Sequence, residues 1–242
     1  MKILVLGDSI TKGIVYDDIK KKYVFSDKSF VSLLKQDNLE IENVSLMGST
    51  VTKGLQTLER LGSEVGNYDY TAIEFGGNDC DFVWSEVADS PDSPHLCKTP
   101  LEKFRVVYEE IVRKVRALGS KPVIVSLPPI DSSKFYKWII RGLNEANISA
   151  FLGDKERLSR WQQYYNLAVS QIARVMKVPY IDITSPFFEN KNFDSLTCTD
   201  GIHPSDSGHR LIYNSIGKYH TADRMIVNTR SSTLRVSFCF YV

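Results

Sequence analysis

A serine and an acid–base pair lie near opposite ends of the chain. Ser9 follows the short apolar run Ile3–Leu6, and Asp200 and His203 stand three residues apart near the other end. Serine is a weak nucleophile at neutral pH, so it needs a base such as His203 to take its proton. An aspartate such as Asp200 would fix the tautomer of the imidazole and stabilise the imidazolium. The three residue types together predict acyl transfer through a serine nucleophile.

Two further segments could stabilise negative charge on a reacting carbonyl oxygen. Gly48 follows the apolar run Ile41–Leu46, and Asn78 follows the next apolar run along the chain. Backbone N–H groups and side-chain amides are the donors that hold the oxyanion of a tetrahedral intermediate. We therefore predict an oxyanion hole formed by the N–H groups of Ser9 and Gly48 and by the amide of Asn78.

Each of these segments also suits an ordinary turn. Asp8 and Ser9 are residue types that often cap helices, and the glycine in Asp200-Gly201-Ile202-His203 can adopt the backbone conformations that a tight turn needs. A turn alone does not require a nucleophile, a base, an acid and oxyanion donors in one chain. Their joint presence therefore favours a catalytic site.

The composition limits the class of protein. The chain has 242 residues, 43% hydrophobic and 24% charged, which fits one globular domain. Its 30 Lys and Arg residues nearly balance its 29 Asp and Glu residues, and no basic stripe appears, so nucleic acid is not an expected partner. The first apolar run has four residues, too few for a signal peptide or a membrane span. We expect a cytoplasmic protein.

The sequence carries no pattern of a metal or cofactor site. Cys80, Cys97, Cys198 and Cys239 lack metal-type spacing and are too few to suggest a disulfide framework, so free thiols are expected. Cys80 and Cys198 flank two candidate segments, where oxidation sensitivity is the alternative to an inert buried thiol. Gly-rich phosphate loops and His-Glu-x-x-His motifs are absent from the sequence. We expect neither a cofactor nor a metal.

Apolar, β-rich runs alternate with segments of helical period, which predicts a parallel α/β sheet. The predicted strands are Ile3–Leu6, Ile41–Leu46, Thr71–Phe75, Pro122–Leu127 and Pro179–Ile183. The predicted helices are Phe30–Lys35, Lys53–Val65, Leu101–Leu118, Leu158–Met176 and Ser205–Tyr219. Two longer connections, Cys80–Pro100 and Pro128–Arg157, are interpreted as functional loops.

The C-terminal end has a different pattern. Residues 234–242 alternate between apolar and other side chains, which is the period of a strand. We expect residues 1–220 to form one catalytic domain and residues 221–242 an extension with an added strand. Such a strand could pair with the edge of a second copy and form a homodimer. A reading-frame artefact is the alternative explanation of the tail.

The expected sheet explains how distant residues could meet. In a doubly wound sheet with strand order 2-1-3-4-5, ligands lie beyond the carboxyl ends of the strands. Ser9, Gly48 and Asn78 follow three neighbouring strands, about 4.8 Å apart. His203 follows the fifth strand, roughly 14 Å from the first, but the stretch Thr184–Thr199 is long enough to return across the sheet.

These motifs resemble the GDSL, or SGNH, hydrolase family. Its hallmark residues match Ser9, Gly48, Asn78 and His203, and its acid matches Asp200. The resemblance spans roughly residues 1–219 and is carried by the motifs Gly7-Asp8-Ser9, Gly76-Gly77-Asn78-Asp79 and Asp200-Gly201-Ile202-His203-Pro204. It implies a flavodoxin-like three-layer α/β/α fold and cofactor-free ester hydrolysis through an acyl-enzyme.

The leading hypothesis is a serine esterase that removes an acetyl or other short acyl group from a carbohydrate or another small alcohol. Two alternatives are an acyltransferase with the same residues and a non-catalytic, flavodoxin-like module that binds a small molecule. Aromatic side chains of the long connections could stack on a sugar or cradle an acyl chain, or could pack the connections onto the domain; they are Phe82, Trp84, Phe135, Tyr136 and Trp138.

Overall fold

The computed structural model describes residues 1–37 and 39–229. Its strands are β1 (Lys2–Gly7), β2 (Ile14–Asp17), β3 (Lys22–Phe25), β4 (Glu40–Asn43), β5 (Tyr70–Glu74), β6 (Lys121–Val125) and β7 (Tyr180–Ile181). Five of them form one parallel sheet in the order β4-β1-β5-β6-β7. Counted along the chain within this sheet, the order is 2-1-3-4-5, so the predicted flavodoxin-like topology is confirmed.

Helices cover both faces of the sheet. They are α1 (Ser9–Lys12), α2 (Phe30–Gln36), α3 (Val51–Leu61), α4 (Trp84–Asp89), α5 (Leu101–Ala117), α6 (Ser132–Ile139), α7 (Glu145–Leu152), α8 (Arg157–Val175), α9 (Ser185–Glu189) and α10 (Asp206–Thr229). The core on one face contains side chains of α3, α5 and α8, and the core on the other contains side chains of α2, α9 and α10. The fold is therefore the predicted three-layer α/β/α sandwich.

The strand register places the ends of three neighbouring strands side by side. Gly7 of β1 pairs with Glu74 of β5, and the N–H of Leu46, just after β4, donates to the carbonyl oxygen of Gly7 at 3.2 Å. The segments that follow β1, β4 and β5 therefore start at the same edge of the sheet. Side chains distant in sequence can meet there without long loops.

An antiparallel hairpin of β2 and β3 was not predicted from the sequence. It lies outside the parallel sheet and pairs Ile14 with Phe25 and Asp17 with Lys22. Its strands have four residues each and combine apolar, aromatic and charged side chains, so their alternation is too short to stand out.

The two long connections contain helices that were interpreted as loops. The segment 80–100 includes α4, and the segment 128–157 includes α6 and α7. Asp131 caps α6 by accepting a hydrogen bond from the Lys134 N–H, and Asn144 caps α7 in the same way. These helices pack on one another through a small apolar core of their own. Their six to eight residues are too few to give a clear helical period.

The last helix is longer than predicted. Helix α10 runs over Asp206–Thr229 and passes the boundary expected at residue 220, whereas the predicted strand at 234–242 lies outside the described residues. The division into a domain and an extension stays a prediction. None of the described helices is long and apolar enough to cross a membrane.

Candidate active site

The end of β1 presents Ser9 at the start of a single helical turn. Asp8 caps this turn, because its carboxylate accepts a hydrogen bond from the Ile10 N–H at 2.8 Å. Gly13 ends the turn with φ of 85°, a left-handed conformation that favours glycine. Ser9 is the first residue of α1, where backbone N–H groups lack acceptors within the helix. Its hydroxyl and its N–H therefore sit together at the carboxyl edge of the sheet.

The structure brings Ser9, His203 and Asp200 together across 194 residues of sequence. Ser9 Oγ lies 2.9 Å from His203 Nε2, and His203 Nδ1 lies 2.6 Å from Asp200 Oδ2. All three side chains are buried, and Asp200 is fully so. These are the distances at which a serine can pass its proton to an imidazole that a carboxylate orients.

A tight loop returns His203 to the site. The N–H of Cys198 donates to the carbonyl oxygen of His203 at 2.8 Å, and Thr197 and Pro204 form an antiparallel bridge. Gly201, with φ of 73°, turns the chain at a point where a Cβ atom would lie 2.4 Å from the Phe135 backbone nitrogen. Only glycine fits this close approach, which explains the glycine between the acid and the base.

The surroundings favour a charged Asp200. Burial alone would raise the pKa of Asp200, but the hydrogen bond and charge of His203 and the N–H groups of Ile202 and His203 outweigh it and lower the pKa. Both N–H groups donate to Oδ1, at 3.0 and 3.1 Å, while Oδ2 faces the imidazole. The carboxylate is therefore fixed on both oxygens.

Sequence reasoning missed Tyr23 of β3. Its ring packs against the His203 ring, with the centroids 5.0 Å apart and the planes tilted by 52°. Burial, the charge of Asp200 and a hydrogen bond with that carboxylate raise the pKa of the Tyr23 hydroxyl. The sequence contains no clear signal for it, because the alternation of Tyr23 and Phe25 with other residues spans only four positions.

A hydrogen bond with Asp8 orients the amide of Asn78. Its Nδ2 donates one hydrogen bond, at 2.9 Å, to Oδ2 of Asp8, a side chain that is only 1% exposed. An amide nitrogen has a second N–H, which this contact leaves available. The residue before Ser9 thus fixes the side chain that was predicted to complete the oxyanion hole.

A buried glutamic acid, also missed from the sequence, supports Asp8. Glu74 ends β5, is 1% exposed, and its Oε2 has no hydrogen-bond partner among the described residues. Burial, the charge of Asp8 and a hydrogen bond with it raise the pKa of Glu74 well above its usual value. Two adjacent buried carboxyl groups disfavour each other's charge, which adds to the effect of burial on the pKa of Glu74.

Gly48 is not among the residues that the hydrogen bonds of Ser9, His203 and Asp200 join. It is exposed, has φ of 69°, and occupies the turn after β4, where the Ser49 N–H donates to the Leu46 carbonyl oxygen at 3.1 Å. It does not line the cavity at Ser9. The structure therefore groups Ser9, Asn78, Asp200 and His203 and leaves Gly48 beside them, so its place in the oxyanion hole stays a prediction.

A cavity of about 100 Å³ opens next to Ser9, Asn78 and His203. Of the five aromatic residues singled out in the sequence, Phe82, Trp84 and Phe135 line this cavity, whereas Tyr136 and Trp138 do not. Trp138 instead packs edge to face against Tyr16 and at a tilt against Tyr23. The cavity is thus bounded by the connections that follow β5 and β6.

The cysteines within the described residues are free thiols, as expected. Cys80, Cys97 and Cys198 are buried. Burial raises the pKa of Cys198 to about 11 and that of Cys80 well above its usual value. Thiols with such pKa values form little of the thiolate that reacts with oxidants. Cys239 lies outside the described residues.

The five-stranded parallel sheet with helices on both faces is the α/β fold of the GDSL hydrolases. The sequence matches the family model described as GDSL-like Lipase/Acylhydrolase over residues 5–211, and the chain belongs to this family. It is therefore a hydrolase of ester bonds, and the alternative of a non-catalytic binding module does not apply.

Solved structures share the fold. A lipase/acylhydrolase from Enterococcus faecalis is 21% identical, with a TM-score of 0.62, over 90% of this chain and 94% of that one. An acetylxylan esterase from Geobacillus stearothermophilus is 17% identical, with a TM-score of 0.60, over 89% of this chain and 91% of that one. A GDSL-like lipase from Bacteroides thetaiotaomicron is 14% identical, with a TM-score of 0.59, over 90% of this chain and 86% of that one. The search of curated proteins returned no match.

Proposed function

We propose that the protein hydrolyses carboxylic esters through an acyl-enzyme on Ser9. The observation that carries the proposal is the continuous hydrogen-bonded chain from the Ser9 hydroxyl through His203 to Asp200, with distances of 2.9 and 2.6 Å. A helix-capping turn or a packing histidine needs no such chain. Nucleophile, base and orienting acid are the three parts that covalent acyl transfer requires.

In the first half of the reaction, His203 Nε2 takes the proton of Ser9 Oγ as that oxygen attacks the carbonyl carbon. The charge that develops on the carbonyl oxygen meets the Ser9 N–H and the free N–H of the Asn78 amide, with Gly48 as the third predicted donor. His203 then passes its proton to the departing alcohol. Asp200 stabilises the charged imidazole between these two steps.

In the second half, water takes the place of the alcohol. His203 accepts a proton from this water, the resulting hydroxide attacks the acyl carbon, and the proton returns to Ser9 as the acid leaves. Ser9 regains its hydroxyl, and no cofactor enters the balance. The same groups serve both halves because the acyl carbon stays in place.

We propose an ester of a small alcohol as the substrate, with acetyl and other short acyl groups as the first to test. One solved structure with this fold is that of an acetyl-xylooligosaccharide esterase, and its likeness to this chain is one of fold. Acylated sugars therefore belong in the first substrate screen beside p-nitrophenyl acetate.

The test compares single and double variants on p-nitrophenyl acetate. We expect Ser9→Ala and His203→Ala each to lower kcat by at least about 10³-fold, and the double variant to lose little more, because the two residues act as a unit. Ser170→Ala is the matched control, since its hydroxyl bonds the Leu167 carbonyl oxygen on the surface of α8. Wild-type turnover in Ser9→Ala would end the proposal.

Transfer of the acyl group to an acceptor other than water stays an alternative. Product analysis with added alcohols distinguishes the two reactions, because a hydrolase releases free acid whereas a dedicated transferase leaves little of it.

A further inference from the structure

The β2–β3 hairpin is bonded to the segment that contains the acid and the base, residues 197–206, which we call the acid–base loop. In the turn of the hairpin, Asp18 Oδ1 accepts a hydrogen bond from Thr199 Oγ1 at 2.8 Å. Just after β3, Ser26 Oγ donates to Asp206 Oδ1 at 3.0 Å. The two contacts lie on either side of the acid and the base in the sequence, so the hairpin holds both ends of this loop.

Between these two contacts, Tyr23 of β3 packs against the acid and the base themselves. Its ring centroid lies 5.0 Å from that of the His203 ring. Its hydroxyl forms a hydrogen bond with the carboxylate of Asp200. Burial and the charge of Asp200 raise the pKa of Tyr23, so the hydroxyl keeps its proton and is the donor. One side chain of the hairpin therefore contacts both members of the pair.

The carboxylate of Asp200 has an acceptor position for this donor. The two oxygens of a carboxylate offer about four acceptor positions. Oδ1 accepts from the backbone N–H groups of Ile202 and His203, and Oδ2 faces the imidazole. The Tyr23 hydroxyl adds a fourth donor, so the carboxylate can turn only if it gives up a hydrogen bond.

Tyr23 is itself held in place by other rings. The Tyr16 ring packs against it edge to face with the centroids 5.3 Å apart, and the Trp138 ring lies 6.2 Å away. The guanidinium of Arg141 lies 4.0 Å from the centre of the Trp138 ring. The hydroxyl that meets Asp200 therefore comes from a side chain whose own position is restricted by packing.

Helix α6 also holds the acid–base loop, but at different atoms. The N–H of Asp131 donates to the Gly201 carbonyl oxygen at 2.8 Å. Lys134 Nζ donates to the carbonyl oxygen of Thr197 at 3.1 Å and to its Oγ1 at 3.2 Å. These contacts fix the loop around the acid and the base, whereas Tyr23 contacts the two side chains that orient and move the proton.

The proposed reaction depends on the geometry of this pair. His203 must keep Nε2 directed at Ser9 Oγ while its charge appears and disappears, and Asp200 must stay bonded to Nδ1 throughout. A misplacement of about 1 Å in a catalytic group can cost about 10²-fold in rate. A donor fixed on the carboxylate and a ring packed against the imidazole restrict both movements.

We propose that Tyr23 is a positioning residue for the Asp200–His203 pair, carried to it by the β2–β3 hairpin. Its hydroxyl holds the carboxylate, and its ring holds the imidazole. This inference rests on the proposed function, since only a pair that moves a proton needs this positioning. Tyr23 does not line the cavity at Ser9, so it acts on kcat and not on KM.

The first experiment measures kcat and KM for p-nitrophenyl acetate in two variants. Tyr23→Phe removes the hydroxyl and keeps the ring, and Tyr23→Leu removes both. We expect kcat to fall by about tenfold and about 10²-fold, respectively, with KM within about twofold of the wild type.

Tyr213→Phe is the matched control, because it also removes a hydroxyl that donates to an aspartate, Asp37 Oδ2, at 2.8 Å on the surface of the protein. We expect it to leave kcat unchanged. Wild-type kcat in both Tyr23 variants would overturn the proposal, as would a loss that appears in KM alone.

The second experiment asks whether Tyr23 acts through the acid. In an Asp200→Ala background the hydroxyl has no carboxylate to hold, so adding Tyr23→Phe should lower kcat by less than about twofold further. A general loosening of the fold would cost the same factor in both backgrounds. A tenfold loss on top of Asp200→Ala would therefore contradict the positioning role.

Failure of this proposal differs from failure of the proposed function. Ester hydrolysis that depends on Ser9 but is indifferent to Tyr23 would overturn the positioning role and keep the serine hydrolase. Ester hydrolysis that survives Ser9→Ala would overturn both.

Discussion

The protonation of Asp79 gives a stability prediction whose size follows from the structure. Asp79 is fully buried, and both of its carboxylate oxygens accept from the Val51 N–H, at 3.0 and 3.1 Å, at the start of α3. Burial raises the pKa of Asp79 from 3.8 to about 7, although hydrogen bonds with Thr99 and Val51 oppose the rise. The folded protein therefore binds the Asp79 proton more tightly than the unfolded chain does.

The sign of the pH dependence follows from this difference. Below pH 3.8 the carboxyl group is protonated in both states, and its contribution to stability is fully present. Between pH 3.8 and about 7 the unfolded chain releases the proton while the folded protein keeps it, so the free energy of unfolding falls as pH rises. One pKa unit corresponds to about 1.4 kcal/mol, so the total loss is about 4 kcal/mol.

The variant Asp79→Asn removes this titration and keeps one oxygen that can accept from the Val51 N–H. We expect the free energy of unfolding of the wild type, relative to the variant, to fall by about 4 kcal/mol between pH 4 and pH 8. Urea unfolding at unit pH steps, followed by tryptophan fluorescence, measures both proteins. Subtracting the two curves removes the titration of other groups, so parallel curves would refute a raised pKa at Asp79.

Two further predictions concern the loop that carries the acid and the base. Asp200→Asn should lower kcat by about 10⁴-fold with a small change in KM, because an amide cannot hold the imidazole of His203 in the reactive tautomer; steady-state kinetics on p-nitrophenyl acetate checks this, and a loss below tenfold would contradict it. Gly201→Ala should lower the free energy of unfolding by about 1 to 3 kcal/mol and also reduce kcat. The residue has φ of 73°, and an added Cβ atom would lie 2.4 Å from the Phe135 nitrogen and 2.6 Å from the Asp131 oxygen. Thermal unfolding that shows wild-type stability would mean that the loop can relax and would contradict this prediction.

The parallel sheet was predictable because each strand carries its own signal. The runs that became β1 and β6 are continuous and apolar, as expected of strands buried on both faces, and they are bounded by glycine, proline or polar residues. Parallel strands end at one edge, so the position of Ser9 and Asn78 followed from the strand order alone. Gly201, between Asp200 and His203, indicated the turn that carries these two residues.

Other parts of the site were not visible in the sequence because they depend on tertiary packing. Tyr23 reaches His203 from the short hairpin, which lies outside the parallel sheet. Glu74 ends a strand, and burial together with the packing of Asp8 beside it raises its pKa. The aromatic residues near α4 and α6 were recognised as candidates, but their division into Phe82 and Phe135 at the cavity and Trp138 outside it is set by how the short helices pack.

The most direct measurement of the central claim is the mass of the protein during turnover. With p-nitrophenyl acetate in excess, rapid acid quench and peptide mass spectrometry should find an added acetyl group on the peptide that contains Ser9, together with a burst of nitrophenol equal to the enzyme concentration. Ester turnover with no acyl group on Ser9 at any time, or with the acyl group on another residue, would contradict the account.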